Sequence, residues 1–236
     1  MAIESLAGTI QAEDVEELNY CVWPWDLRME QMSRGQLRAD LDFAQVNGIL
    51  LTHERWSRSI SATGATPAGY LALAGSCINE PFLCSGKEIG DQNVVCGLGA
   101  TDIQFATPDE EEHWVMLIPV EQVLGHLGGD LTATLSGARS LSVNDPLVIQ
   151  QLGNLVVGAV DSLRDSHAYR AEGQLLKDIH AQLLEAVTKL LVENDMGRDR
   201  GSTKRRYVAV RRALRHAQAL KNPVSVDELA GQAGVS

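Results

Sequence analysis

Between Gly35 and Pro119 the chain is built almost entirely from short apolar runs separated by Gly, Asn, Pro and Ser, with no segment of helical period among them. That pattern constrains the fold more than any other feature. Strands that follow one another without crossover helices cannot form a parallel sheet, so they must close into a sandwich, jelly roll or barrel. In residues 36–45, Leu37, Ala39, Leu41 and Phe43 alternate with Arg38, Asp40 and Asp42, which gives one strand an apolar face. Asn47-Gly48 then supplies two residues that tolerate positive φ, and residues 49–61 read as the returning strand of a hairpin. Four more strand-like runs follow at residues 69–75, 93–99, 102–107 and 113–120.

The period changes after Pro119. Residues 119–127 read as a short helix, and from Asp145 onward Leu147, Leu152, Leu155, Val156 and Leu163 fall on one helical stripe. A second stripe runs through Leu175, Leu176, Ile179, Leu183, Val187, Leu190 and Leu191. Two amphipathic helices joined by a polar turn at 170–173 predict an antiparallel hairpin whose stripe covers an open end of the β unit, forms a subunit interface, or does both. Residues 193–205 lack an apolar period and read as a linker with Gly197 and Gly201 as flexible points. Helical spacing returns with Tyr207, Val210, Leu214, Ala217 and Leu220 and stops at Lys221-Asn222-Pro223. Ser225 with Glu228 three residues later then makes a capping box for a further short helix.

Charge is distributed as unevenly as periodicity. The net charge of -11 argues against a nucleic-acid partner, but residues 198–216 hold eight bases against the single acid Asp199 and carry +7. The remainder, with 12 bases and 30 acids, carries -18. An acidic body joined to a basic segment predicts two tasks in one chain. No run reaches the ~20 apolar residues needed to span a bilayer, and early acids replace the bases of a signal peptide, so a cytoplasmic location without membrane contact is expected. Cys21, Cys77, Cys84 and Cys96 form no C-x-x-C pair and the six histidines no H-x-H cluster, which predicts buried reduced thiols and no metal site.

The stretch Ser225 to Ser236 resembles the first helix-turn-helix of the AraC/XylS family of transcription regulators. Leu229 and Val235 would be its core residues, Ala230 allows close helix approach, Gly234 allows the turn, and Ser236 would cap the recognition helix. The sequence stops inside that motif, which implies a truncated chain. Residues 34–74 and 99–124 are similar to the cupin-like sensor half of such regulators, and the helical pair is similar to the family's dimerisation element. The resemblance therefore implies an α+β chain. Its parts would be a cupin-like β-barrel or jelly-roll sensor over 1–144, a helical dimerisation hairpin over 145–196, a basic linker over 197–204 and a truncated helix-turn-helix segment over 205–236. It implies a homodimer that binds DNA, acts as an activator and is not an enzyme, since the histidine and glutamate pattern of metal cupins is absent. The alternative of a cupin-type enzyme would draw on Asp109, Glu110, Glu111, Glu112 and His113, but the four consecutive acids read instead as a solvated loop.

A sensor needs an effector, and two sites can be read. Arg198, Arg200, Lys204, Arg205 and Arg206 place five cations within nine residues, and arginine forks match phosphate oxygens while stacking on flat bases. With Ser59-x-Ser61-x-x-Gly64 they resemble the arginine arm and serine-glycine turn by which PilZ domains hold cyclic di-GMP, although Ser stands where that pattern has Asp or Asn. The second site is the barrel interior, with His53, Trp56, Tyr70, Cys96 and Trp114 as lining for a small metabolite. Arg211, Arg212 and Arg215, on the first helix of the DNA-binding half, are assigned with Ser236 to DNA contact. No resident cofactor is expected.

Overall fold

The computed structural model describes residues 5–78, 81–90, 93–127, 140–142, 146–165 and 173–193. The chain divides into two compact units, Met1–Gly197 and Arg198–Ser236. All described residues lie in the first, so the linker cations and the helix-turn-helix segment lie outside them.

Two antiparallel sheets form the β unit. The larger has seven strands: β1 (Ser5–Ala12), β3 (Ala39–Val46), β4 (Ile49–Trp56), β11 (Glu111–Pro119), β6 (Tyr70–Ser76), β9 (Asn93–Leu98) and β12 (Ser140–Ser142), in that spatial order. The smaller has five, ordered β2 (Asp26–Gln31), β5 (Ile60–Ala65), β10 (Asp102–Ala106), β7 (Phe82–Cys84) and β8 (Lys87–Ile89). The hairpin expected at Asn47-Gly48 forms with Val46 opposite Ile49. Both turn residues have positive φ, 49° and 84°, as a two-residue turn between right-twisted strands requires. The run expected as one returning strand breaks after Trp56: Ser57–Ser59 carry the chain across to the second sheet, where β5 begins.

Before the first expected strand, β1, a short helix α1 (Val15–Cys21) and β2 extend the β unit toward the N-terminus. Asp14 caps α1 by accepting a hydrogen bond from the Glu17 backbone N–H. Among the described residues three further helices follow, α2 (Val120–Leu127), α3 (Pro146–Asp165) and α4 (Gly173–Glu193). None is long and apolar enough to cross a membrane.

Strand alternation divides the core in two. One face of the large sheet turns toward the small sheet and buries Leu41, Trp56 and Leu117. The opposite face presents Ala44, Leu51, Leu73, Cys96, Trp114 and Met116 to the helices. Ile149, Leu152, Val156, Val160 and Leu163 of α3 pack there, with Leu176, Leu183, Val187, Leu190 and Leu191 of α4. The helical pair thus covers the outer face of the large sheet rather than an open end of the β unit. Leu147, expected on the stripe, is 60% exposed, and Leu175 is 43% exposed. Ile149 takes the place of Leu147 because the buried face follows 149, 152, 156, 160 and 163 at helical spacing.

Trp114 is the joint between sheet and helix. A Cβ on Gly75 of β6 would come within 2.7 Å of its ring, and one on Gly153 of α3 within 2.9 Å. Both positions are glycine because the indole occupies the space a larger side chain would need.

Candidate functional site

The space between the sheets holds a cavity of about 50 Å³ walled by Trp25, Met29, Trp56, Phe82, Ile103 and Phe105. Into this apolar wall β4 and β11 introduce acids and a histidine. Glu54 and His113 are opposite each other in the β4–β11 ladder, so their side chains share a face. His113 Nε2 lies 3.5 Å from Glu54 Oε2, its Nδ1 lies 3.9 Å from Glu111 Oε1, and Glu54 Oε1 also accepts a hydrogen bond from Thr52 Oγ1 at 2.7 Å. Trp56 stands edge-on to the His113 ring at 4.6 Å. Burial alone would lower the His113 pKa, but the hydrogen bond and charge of Glu54, followed by the charges of Glu111 and Glu112, raise it above its ordinary value. Trp56 Nε1 and His113 Nδ1 are buried and make no hydrogen bond among the described residues. A buried donor left in this way costs about 1–3 kcal/mol, so a ligand oxygen offered to Trp56 would recover it.

The acidic run expected as a solvated loop is divided by the strand instead. Asp109 and Glu110 form the turn, and Asp109 accepts hydrogen bonds from Ser33 Oγ and the Ser59 N–H. Glu111 and His113 begin β11 and are buried on the inner face, while Glu112 points to the opposite face. Four acids in a row conceal this alternation, because no apolar residue marks the inward positions until Val115.

Of the five residues expected to line the interior, Trp56 alone borders the cavity, and Tyr70 is half-buried on the same side of the sheet. His53, Cys96 and Trp114 face the helices. The correction follows from period-two alternation: Ile49, Leu51 and His53 share the outer face of β4, leaving Glu54 and Trp56 for the inner one. Glu54, Trp25, Phe82 and Phe105 were missed, and His113 was named only for the enzyme alternative. The signal that could have found them was the alternation through β4 and β11, continued past polar positions.

Ser59 and Ser61 sit at the start of β5. The Ser59 hydroxyl donates to the Thr107 carbonyl at 2.6 Å, so it serves the β5–β10 connection, and Ser61 pairs with Ala106 and Glu30. Arg198, Arg200, Lys204, Arg205, Arg206, Arg211, Arg212, Arg215 and Ser236 lie outside the described residues. The four thiols are free; Cys84 and Cys96 are buried as expected, but Cys21 is half-buried and Cys77 exposed.

No protein-family profile matches the sequence, and no curated protein sequence matches it. Structural likeness is clearer. The AraC-like transcriptional activator CuxR superposes with a TM-score of 0.57 over 97% of this chain and 85% of that one, at 11% identity. This likeness identifies the fold, a cupin-like double sheet followed by helices. ToxT from Vibrio cholerae (TM-score 0.29, 8% identity, 100% of this chain and 72% of that chain) is too distant to add to it. The same holds for an RmlC-like cupin from Shewanella frigidimarina (TM-score 0.28, 10% identity, 40% of this chain and 85% of that chain).

Proposed function

We propose that the chain is a ligand-responsive, DNA-binding transcription regulator of the AraC type, acting as an activator. The observation that carries this reading is the CuxR-like fold along 97% of the chain. Agreeing with it is the helix-turn-helix resemblance of Ser225 to Ser236 behind a +7 segment. An acidic sensor would not itself approach DNA; the basic segment would. The helical stripe is consumed within the chain, so a homodimer through 145–196 would use the remaining helix surface around Leu147 and Leu175.

The effector we assign is phosphate-bearing, with cyclic di-GMP as the candidate, held by Arg198, Arg200, Lys204, Arg205 and Arg206. Such a ligand would order the linker and raise operator affinity. The small interior favours this choice over a barrel-bound metabolite, since about 50 Å³ admits only a few atoms without movement of the aromatic wall. Calorimetric titration of the full-length protein with cyclic di-GMP tests the assignment. Saturable binding lost in the Arg205→Ala/Arg206→Ala double variant is the expected result. A flat trace to millimolar ligand would remove the nucleotide, and binding that survives the double substitution would move the site elsewhere.

A further inference from the structure

On the outer face of the large sheet a cleft of about 430 Å³ runs between the strands and α3. His53 of β4 and Glu112 of β11 border it from neighbouring strands, and Cys77 joins them from the residue just after β6. We propose that His53, Cys77 and Glu112 form a binding site for a divalent transition-metal ion of the zinc class, with its open coordination position facing the cleft. One donor atom from each residue lies within 4.8 Å of the other two. Metal–ligand bonds of about 2.0–2.3 Å put tetrahedral donors roughly 3–4 Å apart, so small side-chain rotations close the set.

The chemistry of the donors selects the ion. Imidazole nitrogen, thiolate sulfur and one carboxylate oxygen suit zinc or its neighbours, whereas magnesium and calcium require oxygen throughout. Without an ion, His53 Nε2 and Glu112 Oε1 face each other at 2.7 Å, and Arg55 Nη1 lies 3.3 Å from His53 Nδ1. On binding, the imidazole proton moves to Nδ1, the Nε2 lone pair goes to the metal, and the thiol releases its proton to solvent as the sulfur–metal bond forms. Carboxylates stand near the ring to receive that tautomer's N–H. Asp42 and Asp161 offer carboxylate oxygens within 4.8 Å of a His53 ring nitrogen, and Arg55 keeps its 2.7 Å bond to Asp42 when it leaves Nδ1. Gln150 and Asn154 of α3 border the same cleft. The sequence expectation of no metal site rested on linear spacing, and these ligands come from three separate parts of the chain.

Cobalt(II) titration of the whole chain, followed by thiolate-to-cobalt absorption, tests the proposal, with zinc affinity measured by chelator competition. One equivalent should bind. Cys77→Ser should abolish the absorption, and Cys77→Ser, His53→Asn and Glu112→Gln should each weaken zinc by at least roughly tenfold, while Cys84→Ser leaves both unchanged. Cys77 is exposed, so its serine variant should fold, which near-ultraviolet circular dichroism verifies. Absence of cobalt absorption in the native chain, or unchanged zinc affinity in folded Cys77→Ser, would overturn the assignment.

Discussion

Asp42 of β3 is almost wholly buried, yet it accepts hydrogen bonds from Thr9, Arg55 and Arg164. Burial alone would raise its pKa, but those three donors outweigh it and hold the carboxyl at about 2. An unfolded aspartate titrates near ~3.9, so the contribution of Asp42 is complete above about pH 4 and is lost as pH falls toward about 2. Asp42→Ala should cost about 2–3 kcal/mol at neutral pH, since Arg55 and Arg164 lose this carboxylate while Arg164 keeps Asp161. Urea unfolding at pH 7 and pH 3 checks this; the variant should lose part of the wild type's acid sensitivity. His113 has the opposite sign. Its raised pKa stabilises the fold fully below about 6.5 and loses that contribution as pH climbs through the folded-state value. His113→Gln should therefore flatten the loss of stability between neutral and alkaline pH, read from melting temperatures across that range. Neither residue was legible as buried in the sequence, because a charged side chain in a strand reads as solvent-facing until its partners on other strands are known.

Elements with their own local signals were legible. The Asn47-Gly48 hairpin, the strands β6, β9, β10 and β11 and the helices α2 to α4 all follow from turn residues and apolar period. β1 was not. It is an edge strand whose Leu6 and Ile10 remain partly exposed, so its apolar residues do not mark a buried face. The stripe of α3 was legible, but its partner, the outer face of the large sheet, was not, since an apolar stripe does not name what it covers. The Trp114 joint makes that pairing testable. Gly153→Ala places a methyl group where the indole ring now lies and should cost about 1–3 kcal/mol. Unchanged stability of Gly153→Ala in denaturant melts would mean that α3 does not press on the sheet at this point.

For the whole molecule, charge is segregated as function would be. The unit Met1–Gly197 contains an acidic double sheet with a small, largely apolar interior and a covered outer face, and Arg198–Ser236 holds nine of the 20 bases. Under the proposed reading, an acidic sensing unit and a basic DNA-contacting segment would give that division a physical purpose, because a body carrying most of the -18 would repel phosphate. Sequence composition alone averaged this into a net charge that argued against nucleic acid; only its position along the chain reversed the inference. The most direct measurement is selection of duplexes from a randomised DNA library by the full-length protein. The regulator account predicts enrichment of one sequence class, lost when Arg211, Arg212 and Arg215 are replaced by Ala. Recovery of an unenriched library at low salt would contradict it.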